Sequence, residues 1–195
     1  MLPITAVKGK DSTDDNERKK TQYLQRDMIT DLLKHYSTVT LDMKYFQDKN
    51  NRIPFAQEFA STNLFTILAI PCNQFGYQEP AESKLELLNG LKYVRPGNDF
   101  TPKFPLFWLV DVNGKKQHPL YEYLKSCIPS PRKDFEDHTA IFYEPHHSDD
   151  IRWNFEKFLI DFNGHPIMRF DSDAEPLFIR QFIEKLLQMK KYFEK

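Results

Sequence analysis

Two thiols, Cys72 and Cys127, are the side chains of this sequence with the most obvious capacity for chemistry. They are too few for a disulfide framework and lack the spacing of a metal site, which leaves nucleophilic use or plain packing. Only the thiolate attacks. Pro71 and Asn73, the neighbours of Cys72, supply no cation to favour that anion. Cys72 is therefore expected near the ordinary thiol pKa of about 8.5, a few per cent ionised at neutral pH. An unpaired cysteine is commonly a small packed residue, so packing is the plain reading of both.

The elements that would have to position such groups follow from the pattern of apolar residues. Residues 8–22 form a charged tail, and Leu24, Met28, Ile29, Leu32 and Leu33 then recur at the spacing of a short amphipathic helix. TVTLDMKYF and RIPFAQEF flank QDKNN and read as a β-hairpin. NLFTILAI, residues 63–70, is a nearly continuous apolar run, the pattern of a central strand buried on both faces. Glu79 to Leu91 reads as a helix stopped at Gly90, and PLFWLVDVNGK as a buried strand with an Asn-Gly turn. HPLYEYLKSC is a short helix with Pro near its start. NFEKFLID and HPIMRFD are strands joined at Asn163-Gly164, and residues 175–193 form a final amphipathic helix. Strands alternating with helices predict an α/β fold with a mixed sheet.

Composition sets the outer limits. With 195 residues, 40% of them hydrophobic and 17 of them Phe, the chain is long enough for one well-filled core. The expected organisation is a charged tail and short helix over 1–37 and one domain over 38–195. The 27 basic and 28 acidic residues nearly cancel, so no whole-chain field points to nucleic acid or an anionic membrane. A small-molecule substrate or a protein partner is the better expectation. No apolar run approaches the roughly 20 residues of a membrane span, and MLPITAVKGKDSTDD has no apolar signal-peptide core of about 7–15 residues.

Three stretches carry a family resemblance: Pro-Cys-Asn-Gln-Phe-Gly-Tyr-Gln-Glu-Pro at 71–80, Gly-Leu-Lys-Tyr-Val-Arg-Pro-Gly at 90–97 followed by Phe100 and Phe104, and Asp-Ile-Arg-Trp-Asn-Phe-Glu-Lys-Phe-Leu at 150–159. Upstream, Phe46 to Gln57 and on to Leu64-Phe65 add to it. On these motifs, which span residues 38–193, the chain is identified as a member of the glutathione peroxidase family, similar above all to its secreted plasma and epididymal members.

The resemblance implies a thioredoxin-like sandwich, a mixed central sheet flanked by helices. It implies reduction of hydrogen peroxide or organic hydroperoxides in response to oxidative stress, with glutathione or another thiol as reducing co-substrate and no further cofactor or metal. Such chemistry needs a thiolate or selenolate with donors that stabilise the anion. Residue by residue, the family's donors fall on Gln78, Trp153 and Asn154. Outside the motifs, the same three would read as a helix-entry residue, a core anchor and a strand-edge polar residue. Cys127 matches a non-catalytic position, and residues 92–107 hold no resolving cysteine. The 90–97 loop with Phe100 and Phe104 resembles that of oligomeric members and implies a homo-oligomer, expected as a tetramer. Likeness to secreted members implies an extracellular place, whereas the start of this chain suits the cytoplasm. Where family members that hold glutathione tightly present Arg, this chain has Asp171 and Asp173 after Arg169; a solvated acidic turn is the plain reading of these aspartates, and at such a site they would repel the carboxylates of glutathione.

One departure matters for mechanism. Only one buried run precedes Pro71, so a strand-helix crossover bearing the peroxidatic selenocysteine or cysteine is expected to be missing. If Leu64-Phe65 begins the first strand, Cys72 falls at the peroxidatic place and the hairpin aligns without gaps, which favours this register. If residues 64–70 are instead the second strand, that place is Lys44.

Overall fold

In the computed structural model, which describes residues 37–41 and 64–193 except 82, 96 and 136, four strands form one mixed sheet in the order β2-β1-β3-β4. The strands are β1 (Ser37–Leu41), β2 (Phe65–Ala69), β3 (Lys157–Ile160) and β4 (Pro166–Phe170). β1 is parallel to β2, with Val39 opposite Ile67, and antiparallel to β3, with Val39 opposite Leu159. β3 and β4 are antiparallel and joined across Gly164, whose φ of 84° is one that glycine adopts without strain.

Side chains alternate across this sheet, and helices cover both faces. Phe65, Ile67, Ala69, Leu159 and Phe170 pack with Leu87 and Leu91 and with Ile179, Ile183 and Leu186. The last three lie on α3 (Pro176–Phe193), and Leu87 on α1 (Lys84–Asn89). Leu68, Ile70, Phe158 and Ile160 point the other way, against Leu120, Tyr121 and Leu124 of α2 (Pro119–Cys127). Burying each Leu, Ile or Phe is worth roughly 1.5–3 kcal/mol, so the two clusters fix the sandwich. The expected α/β sandwich is what forms. His118 starts α2, its Nδ1 accepting from Leu120 N at 3.2 Å ahead of Pro119 at the first helical position.

Several details differ from the sequence-based expectations. The hairpin expected to contain residues 38–41 is not formed there, because β2 and β3 take both edges of β1; its second half lies outside the described residues, as do the charged tail and the 24–33 helix. Parallel neighbours such as β1 and β2 are not the two arms of a tight hairpin. The expectation of a deleted crossover falls on residues 42–63, which lie outside the described residues. Residues 65–69 follow β1 as its parallel neighbour, as in the register that would place the peroxidatic residue at Lys44, which lies outside the described residues.

PLFWLVDV is not a regular strand. It runs beside the end of β2 through Phe107 N to Ala69 O at 2.8 Å and Val110 N to Pro71 O at 3.0 Å, while Pro105 lacks an N–H for a full ladder. Gly90 does not stop α1 either: its dihedrals stay helical and the chain runs on through a π turn, Gly90–Val94, closed by Arg95 N to Gly90 O at 2.7 Å. Phe100 and Phe104 are buried in the α1–α3 cluster; the apolar side chains this loop exposes are Tyr93 and Val94.

Candidate active site

The cleft begins where the buried run of β2 gives way to the Pro71-to-Pro80 loop. Gln74 ties that loop down. Its Oε1 accepts from the backbone N–H groups of Val112 and Asn113, at 2.9 and 3.0 Å, and its Nε2 donates to Asn113 O at 3.0 Å. Asn113 extends the network, Nδ2 donating to Ile151 O at 2.9 Å and Oδ1 accepting from Ile151 N and from Lys125 Nζ. Lys125 also pairs with buried Asp150 at 2.8 Å; burial pulls the Lys125 pKa below its ordinary value, and the carboxylate opposes that shift. Amides with every polar atom engaged can sit in an apolar core without the penalty of unmet hydrogen bonds.

Beyond Gln74 the chain turns through Gly76 and Tyr77, both at positive φ. Gly76 gives Gln78 its room, since a Cβ there would lie 3.3 Å from Gln78 Cγ and 3.4 Å from Nε2. Asn73 Oδ1 accepts from Glu79 N at 3.1 Å and fixes the far side of the turn. The loop is also laced to a second segment, a 3₁₀ turn at His138–Ala140: Gly76 N donates to Ala140 O at 2.7 Å and Phe142 N to Gln74 O at 3.0 Å. Tyr77 and Phe142 stack there, ring centroids 3.8 Å apart and planes 10° from parallel, both exposed beside Gln78.

Opposite this loop stands the turn that leads into β3. Asn154 is buried and donates from Nδ2 to Gln78 Oε1 at 3.0 Å. Trp153 is half-buried, its ring 5.7 Å from that of Phe75, and it lines the same small cleft as Asn154, Phe155, Glu156 and Cys72. Of the three residues expected as donors, the structure thus joins Asn154 to Gln78 and places Trp153 beside Asn154 in the cleft. What such a group can do is hold a developing or stored anion by preorganised N–H dipoles.

The sequence pattern of the family described as glutathione peroxidase matches residues 28–125, half of the chain. The chain belongs to the glutathione peroxidase family. It is 44% identical over 147 residues to "Glutathione peroxidase 3" of Caenorhabditis elegans, covering 73% of this chain and 65% of that protein. With the "Epididymal secretory glutathione peroxidase" of Rattus norvegicus identity is 51% over 108 residues, 55% and 48% of the two chains. With "Glutathione peroxidase 2" of Mus musculus it is 36% over 166 residues, 83% of each. The chain thus spans about half to two thirds of the length of several curated relatives that it matches. Among solved structures, T. cruzi GPX1 superposes with a TM-score of 0.52 at 26% identity, over 80% of this chain and 85% of that one. Trgpx in apo form, at 24% identity and a TM-score of 0.54 over 81% and 84%, shares the fold.

Within this glutathione peroxidase fold the two cysteines take different places. Cys72 is buried in the apolar cluster with Ile70, Phe75 and Val112, and its Sγ–H donates to Gln74 Oε1 at 3.6 Å. It lines the cleft as a packed thiol. Cys127 is exposed at the end of α2. Asp171 and Asp173 are not bare repelling carboxylates, since Arg132 forms ion pairs with both. Arg169 is buried on β4 and paired with Glu156 at 2.6 Å.

The residues that sequence reasoning missed are the buried polar ones: Gln74, Asn113, Arg152, Glu156 and Arg169. Charges inside the apolar pattern of WNFEKFLI were the available signal, because a charged side chain within a buried strand needs a partner. Among the described residues no group of three or more His, Cys, Asp or Glu could hold a metal ion, and no helix is long and apolar enough to cross a membrane.

Proposed function

We propose that this cleft is a hydroperoxide-reducing site of the glutathione peroxidase type, in which Gln78, Trp153 and Asn154 stabilise the anion of the attacking residue and a thiol such as glutathione is the reductant. The observation that carries the reading is the Asn154–Gln78 hydrogen bond, with Trp153 in the same cleft. In the reaction a chalcogenolate attacks one peroxide oxygen, the O–O bond breaks and an alcohol or water leaves. One thiol then displaces water from the oxidised residue to form a mixed disulfide or selenenyl sulfide. A second thiol releases it, so one peroxide is reduced for two thiols oxidised.

The parallel pairing of β1 and β2 favours the second register of the resemblance, in which the attacking position is Lys44, and the sequence from 42 to 63 contains no cysteine. Cys72 is a poor substitute, because it is buried in an apolar cluster, surroundings that disfavour the attacking thiolate. The chain as it stands is therefore expected to carry the donor half of the site and to turn peroxide over slowly. Replacing Lys44 by Cys tests this by supplying a thiol at that position of the sequence. A second reading, a family member kept for binding rather than catalysis, is favoured by the same lack of a cysteine between residues 42 and 63. It expects no gain from that substitution. We also propose assembly into a homo-oligomer, for which the exposed Tyr93 and Val94 of the 90–97 loop are the local support.

A further inference from the structure

Two buried ion-pair partners lie directly behind the donor turn. Glu156 and Arg169, with side chains only 1% exposed, meet at 2.6 Å. Arg169 also donates to the carbonyls of Ile128, Asp149 and Asp150, at 3.3, 2.9 and 2.9 Å, so the guanidinium is fixed from several segments. Glu156 uses its oxygens separately: Oε2 takes Arg169 Nε, and Oε1 accepts the backbone N–H of Arg152. That second bond spans residues 152–156 and closes the turn in which Trp153 and Asn154 sit.

The turn is not one that its residues would choose. Phe155 has a φ of 76°, in the left-handed region, where a residue with a Cβ costs about 1–2 kcal/mol. Such a conformation persists only where the surroundings over-determine it. The Arg152–Glu156 closure on one side and the Asn154–Gln78 bond on the other supply that constraint. Arg152 adds a further anchor, its guanidinium 4.4 Å from the Phe135 ring centre and bonded to the carbonyls of Arg132, Lys133 and His147.

We propose that Glu156 and Arg169 are positioning residues for the donor set: the buried pair closes the 152–156 turn and thereby holds Asn154 on Gln78 and Trp153 at the cleft. The proposal rests on the reading of Gln78, Trp153 and Asn154 as donors. A carboxylate is required at 156 because both of its oxygens accept. Gln has one acceptor oxygen, so its NH₂ would be aimed at either Arg152 N–H or Arg169 Nε–H.

The test is NMR of the full chain with ¹⁵N-labelled side-chain amides, the Asn154 pair assigned by Asn154→Asp. In Glu156→Gln the Asn154 amide is expected to leave its wild-type position and to exchange with solvent about tenfold faster, as loss of one hydrogen bond allows. Ile183→Val, a mild destabilisation in the α1–α3 cluster, is the control and is expected to leave the Asn154 pair in place. Unchanged Asn154 resonances in Glu156→Gln would overturn the proposal, and so would an equal displacement in Ile183→Val. The readout involves no turnover, so an inactive Lys44→Cys protein would count against the donor reading while leaving this result as it stands.

Discussion

Asn154 Nδ2 donates to Gln78 Oε1 at 3.0 Å, joining two amides that stand 76 positions apart in the chain. The contact brings the loop after β2 and the turn before β3 together. In a protein that carries a thiol at position 44, we expect Gln78→Ala or Trp153→Phe to lower peroxide turnover by about 10²–10³, the usual effect of removing one preorganised donor. Turnover unchanged in both variants would remove these side chains from the site.

The loop that presents Gln78 depends on Gln74, which engages Val112 N, Asn113 N and Asn113 O at once. Gln74→Leu keeps the approximate volume and leaves those buried groups without partners, at a cost of about 3 kcal/mol. Urea denaturation of wild type and variant measures it. A difference below about 0.5 kcal/mol would mean that the network is replaced by water or by rearrangement.

A pH effect should appear in the 3₁₀ turn that abuts this loop. Asp137 caps that turn by accepting from the Thr139 hydroxyl at 2.6 Å and its N–H at 2.8 Å, and these bonds hold its carboxyl below the usual carboxylate range. A lowered folded pKa contributes stability that is present above the unfolded pKa and lost as pH falls through the folded one. The Thr139 amide proton shift, followed by NMR, should therefore stay constant down to the ordinary aspartate range and move only in more acid solution. Asp137→Asn should abolish that movement; a midpoint at or above the ordinary value would contradict the cap.

Assembly is tested separately. If the exposed Tyr93 and Val94 bury against a second copy, light scattering at micromolar concentration will give an oligomer mass, with Tyr93→Asp shifting it toward the monomer. A wild-type monomer would sink the proposal. Phe100 and Phe104 are unsuitable probes, since they lie in the chain's own core and their truncation would act on folding.

The meeting of the 71–80 and 150–159 stretches was legible in the sequence because Gln78, Trp153 and Asn154 sit in motifs whose local pattern survives intact. The partner of β1 was not. TVTL reads the same beside a parallel neighbour as beside an antiparallel one, and the polar QDKNN has the composition of a turn. Pairing is decided by which edges the rest of the sheet leaves open, and only the three-dimensional arrangement shows that β2 and β3 take both. Glu156 and Arg169 were hidden differently. Nothing local says that a Glu just before β3 will meet an Arg of β4, although the next residue, Lys157, pairs with Phe170 beside that Arg.

The most direct test of the proposed site is hydrogen peroxide consumption by wild type, Cys72→Ser and Lys44→Cys, each with glutathione or thioredoxin as reductant. We expect wild type and Cys72→Ser to be equally slow, at the rate of an ordinary protein thiol, and Lys44→Cys to be faster by orders of magnitude through the Gln78, Trp153 and Asn154 donors. Fast wild-type turnover that disappears only in Cys72→Ser would contradict this, and would show that the buried thiol of the cleft is itself the nucleophile.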